Sequence, residues 1–545
     1  MSELQRPSNQ YRRALRPLSP FRPFRFFVPM PPPRPIPSDI GWDAFRTLPQ
    51  CHSAFNLRIA QPNHTRPASP HFLCSAPMKR ADSLKQILPL GLAILAVLLL
   101  AAWFLHRPGK PLSLRIPGTD AAKGASSQSN TNPVLLGTLT HGTGQPATNS
   151  GSWPQFRGPT RSGVAGTAKL ARSWEKSGPR QLWSVAVGDG YAGPAISDGR
   201  VYLMDYDLVN HRDALRCLSL ADGQEIWRFS YPVTIKRNHG MSRTVPAIAG
   251  TNIVAIGPKG HVVCCDSLTG ALRWTHDLAR EFGATVPEWY VGQCPLIDGD
   301  LVILAPGGPD ALLVAVALDS GNILWRTPNP QGWKMSHSSI MPADFAGQRQ
   351  YVYCANKGVV GVSQKDGALL WQTTDWKISI ATVPSPCVLD GGKIFLSGGY
   401  NAGSMMLQIS DDSGHTSVKT QTKLGAEVFG ATQHTPILFN GQLYGTRADG
   451  KFTCLSTDGK VLWTSGSGDN LGLGSFLLAD GLIFALNDSG QLRLIEASPS
   501  RYAELARADV LPSGHESWAP MALAGNRLLV RDLTRLVCID VGQTQ

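Results

Sequence analysis

Charge is scarce in this chain. Only 17% of its 545 residues are Asp, Glu, Lys or Arg, which is low for a long soluble helical protein, and beyond residue 110 no 3.6-residue apolar period appears. The short motifs that announce common chemistries are also missing. There is no C-x-x-C-H haem attachment site, G-x-S-x-G elbow, Walker-type loop, H-E-x-x-H helix or kinase set. The glycine-rich GDNLGLG at 468–474 opens no βαβ unit, so phosphate binding is not expected. What is present points elsewhere. A hydrophobic fraction of 42% excludes wholesale disorder, and 55 Gly with 41 Pro favour many turns over long helices.

The net charge of +12 invites a nucleic-acid reading. Its distribution removes that reading. Residues 1–110 hold 15 Lys/Arg against 4 Asp/Glu, whereas 111–545 hold 36 against 35. Four fifths of the chain is electrically balanced, and no nucleic-acid partner is expected.

The N-terminal fifth divides into three. Residues 1–77 carry fifteen prolines among frequent arginines, cannot bury a core, and read as a disordered leader. Met78 opens MKRADSLKQILPLGLAILAVLLL, a self-sufficient n-region and h-region, so Met78 is the expected biological start and the leader is expected to be untranslated. Ile87 to Leu105 is an uncharged run of 19 residues, about 28 Å as a helix and close to a hydrocarbon core. With Lys79, Arg80 and Lys85 before it and no clean small-x-small cleavage site after it, 78–107 reads as an uncleaved signal anchor. That places the rest outside the cytoplasm, in a periplasmic setting. The Gly/Ser/Thr/Asn-rich stretch 108–152 reads as a flexible linker.

From Trp153 onward the chain repeats. Trp183, Trp227, Trp274, Trp325 and Trp371 follow one another at intervals of 44 to 51 residues, and Trp463 lies two periods further on. Five of them stand four residues after a glycine: Gly223, Gly270, Gly321, Gly367 and Gly459. Alternating strands precede each glycine, and a further pair with its own tight turn precedes those (PAISDGRVYLM, PLIDGDLVIL, PILFNGQLYG). Four antiparallel strands in about 45 residues make one propeller blade. Complete units begin near Tyr191, Ser242, Gln293, His337, Thr382, His434 and Ser475. The C-terminal segment supplies three strands and RQLWSVAVG supplies one, which together would make an eighth blade. Seven is the count if the degenerate unit at 475–511 is an insertion. The expected fold is all-β: an eight-bladed propeller closed by its N-terminal strand and preceded by one transmembrane helix. The six tryptophans would pack against neighbouring blades.

These Gly-x-x-x-Trp units resemble the tryptophan-docking repeats of the PQQ-like (pyrroloquinoline quinone) propellers, which include quinoprotein alcohol dehydrogenases and BamB-like assembly lipoproteins. The entry segment WPQFRGPTRSGVAG is similar to the opening of PQQ-like propellers of planctomycete and verrucomicrobial type. The resemblance covers Trp153 to Asp540 and implies the fold. It leaves two activities open, because this scaffold hosts several functions.

As a quinoprotein oxidoreductase, the resemblance implies, the funnel would hold PQQ and calcium on acidic and amide ligands, often under a vicinal disulfide. Cys264-Cys265 is such a pair by sequence. However, Cys264 and Cys217 each precede their glycine by six, a third-strand slot that Cys454 and Cys538 resemble, so buried packing is the expectation. Glu288, Asp375 and Glu516 are isolated loop acids with no compact cluster. No catalytic or metal residue and no cofactor is expected.

As a binding module, the chain would use a polar-aromatic ring just before the innermost strands: Tyr191, Arg243, Trp289, Tyr290, Gln293, Trp333, His337, Gln433, His434 and Trp518. A non-catalytic scaffold for a protein or other ligand is the leading expectation, followed by the PQQ- and calcium-dependent oxidoreductase and a glycan-binding surface protein.

Overall fold

The computed structural model describes residues 81–105, 131–148, 151–166, 169–345, 347–412 and 415–543. They fall into two compact units, Met1–Pro108 and Gly109–Gln545. The leader 1–77 and the first part of the expected linker lie outside the described residues.

In the first unit the apolar run forms the helix Ala81–Leu105. Its side chains are described over 91–103, where Leu92, Leu95, Val97 and Leu99 are exposed. A span needs about 20 apolar residues. Among the described residues no helix is long and apolar enough to cross a membrane.

The second unit is built from eight antiparallel sheets. The first comprises Ala195–Ser197, Arg200–Asp207, Arg212–Ser219 and Glu225–Pro232, running in chain order from the innermost to the outermost strand. Six more follow at 247–277, 296–326, 341–373, 387–424, 437–464 and 476–509. The eighth combines Ala522–Ala524, Arg527–Arg531 and Arg535–Asp540 with Arg180–Ala186 as its outermost strand. Arg180 pairs with Asp540 and Ala186 with Arg535. The innermost strands of the first and eighth sheets touch, as do those of the first and second.

Local chemistry sets this pattern. The innermost hairpins turn on pairs such as Asp198-Gly199 and Asn440-Gly441, with both φ values positive (48° and 69°; 48° and 77°), as the two-residue turn that suits strand twist requires. Six innermost strands are preceded by proline, at Pro194, Pro246, Pro295, Pro386, Pro436 and Pro520. Proline is tolerated there because an innermost strand is a sheet edge. In all eight sheets the register shifts between the third and fourth strands, at Cys217/Leu218 and Ala315/Val316 for example. A bulge at that point re-aims the side chain that follows.

That side chain is the repeat tryptophan. Trp227 donates from Nε1 to the Ser267 carbonyl of the next sheet at 3.1 Å, and Trp274 to Leu318 at 2.7 Å. Trp183, Trp325 and Trp463 repeat the contact with Leu220, Gln364 and Ser498. The repeat glycine has two duties here. Gly270 has φ 79°, and a Cβ on it would come within 2.7 Å of the Trp227 ring. Trp371 departs from the rule and donates to Gln350 Oε1 within its own sheet at 2.9 Å. The sheet that follows it has ten-residue third and fourth strands, Gly403–Asp412 and His415–Leu424. There Leu424 stands where a tryptophan would, near Gly459. The degenerate unit at 475–511 is a full blade whose outer strand, Glu504–Asp509, lacks the tryptophan.

The linker expectation is corrected at its C-terminal part. Residues 131–148 form a 3-10 turn, Pro133–Leu136, and a strand, Thr138–His141, that adds a fifth strand to the first sheet. Leu139 pairs with Phe229. Asn132 caps the turn by accepting from the Val134 N–H, and its Nδ2 donates to Thr275 Oγ1 of the second sheet at 3.1 Å. Small polar composition suggested freedom, but alternation over four residues suffices for an edge strand.

Candidate functional site

The residues just before the innermost strands surround a cavity of about 310 Å³. Seven of the ten expected mouth residues line it: Tyr191, Arg243, Trp289, His337, Gln433, His434 and Trp518. The other three are structural. Tyr290 is fully buried and donates its hydroxyl to the Lys236 carbonyl. Gln293 is fully buried and satisfies both backbone groups of Ala305 through its amide. Trp333 belongs to the apolar core, and a Cβ on Gly358 would meet its ring at 2.3 Å. Register placed these three at the mouth, but each is turned into the protein interior.

Two groups of lining residues had no sequence expectation. One is the entry segment. Trp153 bridges to Ile196 in the first sheet, and Pro154 accepts from Ile248 N in the second. Arg161 donates to the Pro295 carbonyl at 2.9 Å, and Arg157 reaches Thr435 and Pro436 carbonyls at 2.7 and 2.9 Å. Ala165 N donates to Leu478. The segment therefore lies across the channel and closes one end, turning a pore into a funnel. Arg157 and Arg161 hold left-handed backbone (φ 63° and 57°) in the process.

The other group is a belt. Val245 N donates to Cys294 Sγ, Cys294 N to Ser339 Oγ, Ser339 N to Ser385 Oγ, and Ser385 N to Thr435 Oγ1, at 2.8 to 3.2 Å. Each link joins consecutive blades from the second to the sixth. A small hydroxyl or thiol residue just before an innermost strand was the signal.

The funnel is electropositive. No Asp or Glu is among its lining residues, while Arg157 and Arg243 are. Arg243 lies over the Tyr191 ring, 4.9 Å from its centroid. Burial lowers the Arg243 pKa to about 10, which leaves it charged at neutral pH. Glu516 is held outside the lining by the Tyr191 hydroxyl, which donates to it at 2.5 Å. His337 and His434 are pushed down to about 4, by burial first and then by the charges of Arg243 and Arg157 respectively. Both are neutral in ordinary buffers.

Residues 211–465 match the family model described as outer membrane protein assembly factor BamB. The matched stretch is under half of the chain, and its repeat resembles that family's. Among solved structures, BamB from Moraxella catarrhalis is similar at 14% identity and a TM-score of 0.46, covering 66% of this chain and 99% of that one. A europium-containing methanol dehydrogenase aligns at 11% identity and 0.41, covering 70% and 89%. Quinohemoprotein alcohol dehydrogenase from Comamonas testosteroni aligns at 12% and 0.40, covering 72% and 81%. No curated protein matches the sequence.

The donors of the funnel do not suit a quinone-calcium pair. Calcium takes six to eight oxygen ligands, carboxylates prominent among them. This lining offers no carboxylate and two arginines instead. Among the described residues no three His, Cys, Asp or Glu gather into a metal-holding group. His239, Cys294, His337 and His434 all line the cavity without gathering into such a group. Glu288 lines an adjoining groove, and Asp375 accepts from Thr420 Oγ1. Cys264 and Cys265 are free thiols packed in different clusters, one against the third blade and one against the first.

Proposed function

We propose that this chain is a membrane-tethered, extracytoplasmic BamB-like propeller that binds a ligand in its closed funnel without catalysis. The observation that carries the reading is a concave cavity with aromatic walls, a sealed inner end and the unpartnered Nε and Nη2 of Arg243. Binding sites are built this way, with apolar walls and few placed polar groups. The BamB family match over 211–465 supports a protein partner over a small metabolite. The uncharged run Ile87 to Leu105, with Lys79, Arg80 and Lys85 before it, supports the tether and the outward-facing propeller.

Titrating the full-length protein in detergent with pyrroloquinoline quinone and Ca²⁺ tests the absence of catalysis. No quinone-coloured complex is expected. A stoichiometric one that reduces a dye with alcohols would overturn the reading. A photo-crosslinker placed at Gln433 tests binding, with a discrete adduct in intact cells as the expected outcome. A crosslinker at exposed Val209, on the first blade, is the control.

A further inference from the structure

The funnel continues sideways. His337, Ala381 and Tyr400 line both the funnel and an adjoining groove of about 530 Å³, so one space runs from the inner chamber to the outer rim. The groove carries the amides of Asn356 and Asn401, the Ser379 hydroxyl, Lys357, Lys377 and one carboxylate, Glu288.

Arg243 lines the funnel beside Tyr191. Its charge acts on Tyr400 and on His337, the two polar residues shared by funnel and groove. Its Nε and Nη2 are buried and have no hydrogen-bond partner. No salt bridge reaches it among the described residues; Glu516, whose charge acts on it, is hydrogen-bonded to Tyr191. Buried guanidinium nitrogens without a partner are costly, and a planar carboxylate is the group that the fork fits in two parallel bonds. The loops around the junction hold strained backbone, with positive φ at His239 (56°), Trp289 (64°), Tyr400 (56°), Asn401 (63°) and Glu516 (53°). Such strain persists where surrounding structure enforces it, commonly at ligand clamps.

Resting on the binding reading above, we infer that funnel and groove together take the free C-terminal end of a polypeptide. The α-carboxylate meets Arg243, the last side chain enters between Trp289 and Trp518, and the preceding residues run along the groove. An elongated space with the unpartnered Arg243 nitrogens in its funnel fits a chain end better than a compact molecule. Amides and a hydroxyl along the groove match a peptide backbone, and two lysines against one glutamate favour acidic residues upstream.

The test uses fluorescein-labelled, C-terminally degenerate acidic hexapeptides, as free acids and as C-terminal amides, titrated into the full-length protein in detergent. The free-acid pool is expected to bind saturably and at least ten-fold tighter than the amide pool. Arg243→Gln should abolish that difference, and Lys377→Glu should weaken the free acid with the acid–amide ratio preserved. A thermal melt confirms that both variants are folded. Equal binding of acid and amide overturns the carboxylate assignment while the binding reading stands. Binding of phenylacetate without any peptide binding overturns the polypeptide assignment and keeps the carboxylate subsite. If no probe binds and the Gln433 crosslinker also captures nothing, both readings fall.

Discussion

Tyr191 and Trp518 stack with ring centroids 5.2 Å apart, which joins the loop entering the first blade to the loop entering the eighth. Each ring is also tied at its polar end. The Tyr191 hydroxyl holds Glu516, and Trp518 Nε1 donates to Asp488 Oδ1 at 2.7 Å. The Tyr191 bond engages Glu516, a carboxylate whose charge also acts on Arg243. Tyr191→Phe should release Glu516 toward Arg243 and weaken binding of a carboxylate ligand about ten-fold, roughly 1.4 kcal/mol. Fluorescence polarisation with the free-acid peptides checks it.

The blade interfaces predict an order of stabilities. Trp227 is fully buried, so Trp227→Ala should cost about 3–5 kcal/mol. Gly270→Ala should cost more than the roughly 1–2 kcal/mol of a left-handed alanine, because its methyl also strikes Trp227. Gly250→Ala, at φ 55° with nothing within 4 Å, isolates the backbone component. Thermal melts of the two glycine variants should separate clearly.

Asp213 gives the propeller a pH dependence. It is fully buried, Oδ2 accepts from the Tyr231 hydroxyl at 3.0 Å, and Oδ1 has no partner. Burial raises its pKa to about 8, with Asp205 adding to the rise and Lys259 opposing it. The folded state therefore holds a proton that the unfolded chain loses near its ordinary value of 3.8. Its contribution to stability is complete below about 3.8 and is lost as pH rises toward 8. Asp213→Asn should melt a few degrees higher than the parent at pH 8 and show a smaller gain at pH 5.

The histidines act in the opposite direction. His337 and His434, held near 4 against an ordinary 6.5, make the folded state lose stability as pH falls from about 6.5 to 4. His434→Gln should flatten the acid limb of the melting profile, measured between pH 7 and 4.

The fifth strand of the first sheet should be separable from the propeller. Leu139→Pro breaks its pairing with Phe229. Hydrogen exchange should then speed up at 226–230, and the other seven sheets should keep their protection.

Much of this protein was legible in its sequence because the repeat is enforced locally. A turn with two positive φ values selects Asp-Gly or Asn-Gly, and the outer turn selects a glycine that a tryptophan covers four residues after the glycine of its own blade. Those constraints recur every 45 or so residues, so Trp227, Trp274 and Trp325 gave the period, while the blade count came from the unit starts and the strand shared between the chain's two ends. The mouth was only partly legible. Register identifies which residues precede an innermost strand, but the direction of Gln293, Tyr290 and Trp333 depends on backbone twist and on neighbours distant in sequence. Tertiary structure alone decided that the entry segment crosses the channel, since Arg157 and Arg161 find their carbonyls 278 and 134 residues away. It alone left Nε and Nη2 of Arg243 without a partner, while Glu516, whose charge acts on it, is hydrogen-bonded to a tyrosine from another blade. Composition assigns charge to a chain, whereas only packing determines which charge keeps a partner.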